Sequence, residues 1–144
     1  MGNWANGIYE LKNPEKYAGL KKPRYRSSWE HAFMRFADNH PSIIQWASEA
    51  VQIPYKNPLT GKQTIYVPDF LIVYQDKKGQ KIAEVIEIKP NTQTKLTEKT
   101  SYRDKLSIAV NMAKWQAAAK WCRLKGLQFR VVNEDQIFHS GKRR

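Results

Sequence analysis

Ile65-Tyr66-Val67-Pro68-Asp69-Phe70-Leu71-Ile72-Val73-Tyr74 is the stretch whose reading decides the fold, because a run of β-branched and aromatic residues carries one carboxylate in its middle. Asp76-Lys77-Lys78-Gly79 then gives a turn signal, and Ile82-Ala83-Glu84-Val85-Ile86-Glu87-Ile88-Lys89 returns as a second strand. The pair reads as a hairpin. If its loop is Asp76 to Gln80, Gln75 faces Lys81, and counting back along both strands brings Asp69 opposite Glu87. Directly opposed residues have Cβ atoms about 4.5 to 5.5 Å apart, near enough for two carboxylates to share one cation. Lys89 lies two residues beyond Glu87 and projects from the same face. Phe70 and Ile72 on one face, and Leu71 and Val73 on the other, predict cover on both sides.

Burying a charge costs several kcal/mol unless it is paired or bound to a metal. Two carboxylates and an ammonium in an apolar hairpin therefore point to a metal site of the kind that cuts phosphodiesters. Each half also has a plainer reading. Asp69 after Pro68 is a possible turn residue, and Glu87 with Lys89 a possible solvated pair on an edge strand. Pro68 argues for an edge or a bulge, since it cannot donate to a ladder. The register that superposes the two halves favours the site.

Outward from the hairpin, the chain reads as α/β. Residues 1–24, with Asn13-Pro14, Lys21-Lys22-Pro23 and several glycines, read as a basic, irregular arm ordered only by a partner. A helix is predicted from near Ser27, with Trp29, Phe33, Phe36 and Ala37 on one stripe and Asn39-His40-Pro41 ending it. Ile44 to Gln52 is ambiguous. Val51, Ile53 and Tyr55 predict a first strand before a turn at Asn57-Pro58-Leu59-Thr60-Gly61. Asn91 to Thr100 reads as a loop, and a long helix follows from about Tyr102 to Lys125, closed by Gly126. Leu127 to Val132 alternates as a last strand. A mixed central sheet with helices on both faces results, in one domain over residues 25–138, followed by a basic tail over residues 139–144.

Composition narrows the partner. The 144 residues hold 25 Lys and Arg against 13 Asp and Glu, a formal charge of +12, which points to a polyanion such as DNA. The excess sits towards both ends of the chain. No apolar run is long enough to span a bilayer and no signal peptide is visible, so neither a membrane nor a secreted setting is expected. The single cysteine, Cys122, excludes an internal disulfide and a multi-cysteine zinc site. His31, His40 and His139 lack ligand spacing. The five tryptophans are core candidates where they fall at helical spacing and base-stacking candidates if exposed.

Pro68-Asp69 followed by Glu87-Ile88-Lys89 resembles the PD-(D/E)XK signature of a large superfamily of metal-dependent nucleases. The segment Tyr25 to Phe36, continued by Ile44 to Glu49 and Val51 to Tyr55, makes the likeness more specific. In that order the motifs resemble the head-completion nucleases of tailed phages and the end-cleaving endonuclease subunit of heteromeric transposases. The resemblance implies a restriction-endonuclease-like core and a DNA nuclease. It also implies a setting in phage assembly, in the virion or the host cytoplasm, among head or neck proteins near the portal. Asp69, Glu87 and the carbonyl of Ile88 would hold one or two Mg²⁺ ions, with Mn²⁺ able to substitute, and Lys89 would orient or deprotonate the attacking water. The family pattern also assigns the helix glutamate, Glu30, to the active site, whereas Ser27 with Glu30 three residues later is equally a capping box. Lys114 and Gln116 are candidate phosphate contacts, though for Lys114 a solvated helix face is the favoured reading. A second expectation keeps the fold without the activity, as a DNA-gripping component of a phage neck. A transposase subunit is disfavoured by the lack of room for a partner-binding domain.

Overall fold

The computed structural model describes residues 6–89 and 101–133. In chain order the elements are β1 (Gly7–Ile8), a 3₁₀ turn (Pro14–Lys16), β2 (Arg24–Tyr25), α1 (Ser28–Asn39), β3 (Ile43–Ser48), β4 (Ile53–Lys56), β5 (Gln63–Tyr66), β6 (Phe70–Gln75), β7 (Lys81–Ile88), α2 (Tyr102–Leu124) and β8 (Gln128–Val132). The central sheet has the order β3-β6-β7-β8. Its first two pairings are antiparallel and the last is parallel. Parallel neighbours require a crossover, and α2 is that crossover.

The hairpin register is the one counted from the sequence, running from Gln75 opposite Lys81 to Phe70 opposite Ile86. Two expectations about its surroundings need correction. First, Ile65 to Tyr74 is not one strand. It breaks at Val67-Pro68-Asp69 into β5, which pairs with β4 in a sheet of its own, and β6. Pro68 has no N–H to donate, so the ladder stops there. Because Pro68 is fully buried, it marks a corner at which the chain changes sheets rather than an edge. Second, the first strand of the central sheet is β3, from the ambiguous segment, and Val51 to Tyr55 instead leads into and builds the β4–β5 hairpin. A register shift between Ile43 and Gln45 breaks the alternation of β3, and a bulge of this kind erases a period-two signal.

Both faces of the sheet are covered. Phe33, Met34 and Ala37 of α1 pack on Trp46, Phe70, Ile72, Ile86, Ile88 and Val132. On the other side Ala118 of α2 packs with Ile53, Tyr55 and Tyr66, against which Trp115, Trp121 and Phe129 rest. The predicted helix ends hold: Ser27 Oγ accepts from the Glu30 N–H, and Gly126 past the end of α2 has φ +74°. Cys122 is buried in that helix.

Residues 6–24 depart from the expected partner-dependent arm. β1 pairs with β2, and Tyr9 and Pro23 are buried. The fully buried Asp38 of α1 gathers this segment. Its carboxylate accepts from the Tyr9 hydroxyl at 2.8 Å, the Lys12 N–H at 2.8 Å and the Asn13 N–H at 3.1 Å. Further on, Tyr17 bridges to Trp46 and the Ala18 N–H donates to the Trp46 carbonyl at 2.9 Å, so this segment runs along the outer side of β3. The loop at Asn91 to Thr100 and the tail at 139–144 lie outside the described residues.

Candidate active site

The corner at Pro68 delivers Asp69 to the mouth of the β6–β7 hairpin, where its Oδ2 accepts from the Ile88 N–H at 2.7 Å. Glu87 lies across from it at 6 % exposure. Its Oε1 is buried with no hydrogen-bond partner, while Oε2 is 3.8 Å from the Lys89 ammonium. Asp69, Glu87 and Lys89 thus meet on one face, as the register predicts.

The electrostatics of the pair follow from this burial. Desolvation pushes the Asp69 carboxyl well above the usual range, and the Glu87 charge beside it pushes further, against the Ile88 N–H and Lys89. Glu87 is raised by desolvation as well, eased first by Lys89 and then by the Tyr66 hydroxyl, the Asp69 N–H and Lys114. Glu84 is a useful contrast. Equally buried, it points to the opposite face and has its own counter-ion, the Arg130 guanidinium at 3.1 Å. Glu87 has a carboxylate neighbour in Asp69, and the nearest cation the structure gives it is the Lys89 ammonium at 3.8 Å.

Two adjacent carboxylates in mutual repulsion, one with an orphaned buried oxygen, fit a hard divalent cation. The Ile88 carbonyl is available to it. Within a strand the N–H and C=O of one residue point to the same side, and the Ile88 N–H points to Asp69, whereas the bond to β8 comes from the Lys89 N–H to Val132. Among the described residues no three His, Cys, Asp or Glu side chains converge to hold an ion. An ion at this place would have the pair and a backbone oxygen as donors.

Glu30 stands in the first turn of α1. It is the N3 residue of a capping arrangement, and its Oε1 accepts from the Arg26 N–H at 2.9 Å. Burial raises its pKa, with Arg26 and Lys89 opposing and Glu49 reinforcing the shift. Its charge is in turn felt at Asp69. In this conformation it borders the pair without joining it.

Lys114 corrects the solvated-face reading. Its ammonium lies 5.5 Å from the Tyr66 ring centroid and 6.0 Å from that of Tyr55, and its charge reaches Glu87. Gln116 is exposed and, two residues on, faces away. Sequence reasoning missed Tyr66, whose buried hydroxyl sits beside Glu87 and the Trp115 indole without a completed hydrogen bond. His31 packs on the Tyr9 and Tyr25 rings, Trp46 is core, and His139 and Trp4 lie outside the described residues.

A four-stranded mixed sheet between two helices, with an acidic pair and a lysine at a hairpin mouth, is the arrangement of an endonuclease domain. Residues 40–134 match the family described as TnsA-like endonuclease N terminal, and the chain belongs to that family. It is similar to the Head completion nuclease of Enterobacteria phage T4, with 36 % identity over 143 residues, covering 92 % of this chain and 93 % of that protein. Asp69, Glu87 and Lys89 fall inside the family match; Glu30 lies before it.

Proposed function

We propose that this protein is a metal-dependent DNA nuclease acting in phage head completion, hydrolysing phosphodiester bonds at Asp69, Glu87 and Lys89. The observation that carries the reading is the buried Glu87 beside Asp69, with an unpartnered oxygen and Lys89 at 3.8 Å. Asp69, Glu87 and the Ile88 carbonyl would hold Mg²⁺, with Mn²⁺ as a substitute. When bound, the ion supplies positive charge against the scissile phosphate and lowers the pKa of water. The carboxylates would fix the ion beside Lys89, since alone they repel a phosphate, and the walls from β4, β5 and α2 limit access of bulk solvent. The Lys89 ammonium orients the attacking water and stabilises negative charge developing on the phosphate oxygens. The formal charge of +12 supports DNA as the polyanion bound. Head or neck proteins near the portal are the partners, in the virion or in host cytoplasm during assembly.

Cleavage of linear and supercoiled DNA with Mg²⁺, Mn²⁺ or a chelator tests this reading. Metal-dependent cutting by the wild-type chain, lost in Glu87→Ala and Lys89→Ala proteins that still bind DNA, is expected. No cutting by folded wild-type protein with either metal would leave a structural, DNA-gripping neck component.

A further inference from the structure

Beside the carboxylate pair lies a cleft of about 380 Å³, walled by Arg103, Ser107, Asn111 and Lys114 of α2, with Lys89 and, from the β4–β5 turn, Leu59. The four α2 residues recur at intervals of three and four, so they form one continuous helix face. Among the described residues three cations line the cleft and no carboxylate does. Asn111 is only 7 % exposed, and a polar amide held in a helix at that depth has a use if it donates to something entering the cleft. Leu106 and Val110 add apolar surface between the polar positions.

We propose that this face of α2 is a track for the sugar-phosphate backbone of one DNA strand, leading it past Lys89 to Asp69 and Glu87; the inference rests on the nuclease reading. Arg103 and Lys114 take phosphates by charge-assisted hydrogen bonds, Ser107 and Asn111 donate to phosphate or sugar oxygens between them, and Leu59, Leu106 and Val110 meet the apolar side of the sugars. Lys114 is the junction, since it lines the cleft and also acts on Glu87. The eleven helical rises from Arg103 to Lys114 span roughly 16 Å, the axial rise of about five nucleotides of one strand at 3.4 Å each. Arg103 is thus the far end of the track.

The plainer reading is a basic helix with charge on every side, since Lys105, Lys120, Arg123 and Lys125 are also exposed. Lys105 is the control, being exposed and turned about 200° from Arg103. Binding of a fluorescent DNA duplex is measured by anisotropy in chelator across a salt series, for wild type, Arg103→Ala, Ser107→Glu and Lys105→Ala, with cleavage in Mg²⁺ or Mn²⁺ run alongside. All three positions are exposed, so the variants are expected to retain the wild-type melting temperature. Arg103→Ala is expected to reduce the slope of log K against log salt by about one, and Ser107→Glu to weaken binding at least about tenfold through like-charge repulsion. Lys105→Ala is expected to leave the slope unchanged. Equal slope losses in Arg103→Ala and Lys105→Ala, or wild-type binding by Ser107→Glu, would overturn the track. If the track variants lose binding while the wild type cuts nothing with either metal, the track stands and the nuclease reading falls.

Discussion

Glu87 concentrates the conflict between stability and function. A buried carboxylate facing another carboxylate costs folding free energy that only a cation or a proton relieves. Glu87→Gln is therefore expected to abolish cutting and to raise the melting temperature in divalent-free buffer by a few degrees, on the order of 1 kcal/mol. Added Mg²⁺ should raise the melting temperature of the wild type but not of this variant, since only binding to the folded state shifts it. Tyr66 is the second residue to test. Partners behind a metal ligand commonly contribute 10- to 100-fold in metal affinity, so Tyr66→Phe, which keeps the ring that Lys114 overlies, should weaken Mg²⁺ binding about tenfold by calorimetry with an unchanged fold. The convergence of Asp69, Glu87 and Lys89 on one face was legible in the sequence because period two and a short turn leave one register. Tyr66 was not, since a single strand from Ile65 to Tyr74 puts it on the face of Phe70, away from Glu87, and only the corner at Pro68 turns it inward.

At the scale of elements, helices were read well because their ends carry local chemistry, Ser27 before α1 and Gly126 after α2. Strands were read well only where the ladder is regular. The bulge in β3 hid the first strand of the sheet, and the buried proline split what looked continuous. The attachment of residues 9–13 was hidden for another reason, because it depends on one distant carboxylate. Burial works to raise the pKa of Asp38, but the hydrogen bonds from Lys12, Tyr9 and Asn13 outweigh it and leave the group below the usual range. A depressed native pKa contributes stability above the unfolded value, about 3.9, and that contribution is lost as pH falls through the native one. Asp38→Asn should cost about 2 to 4 kcal/mol in urea unfolding at neutral pH. The difference from wild type should narrow as pH falls below about 4, and amide exchange at Lys12 and Asn13 should speed up.

For the whole molecule, the organisation of charge matters more than its total. The acidic pair sits at the hairpin mouth while cations line the cleft beside it, so DNA binding without divalent ions is expected to fall steeply with salt, more than tenfold between 50 and 200 mM if several phosphates are held. The segment through Tyr17 and Ala18 has a different consequence. β3 ends the sheet on one side, and a bare outer strand is a template on which copies of a chain zip together. By occupying Trp46 there, the amino-terminal segment is a built-in guard against aggregation. Removing residues 1–20 should convert a dispersed protein into one whose light scattering grows with concentration, even though every residue of the acidic pair and its lysine remains in place.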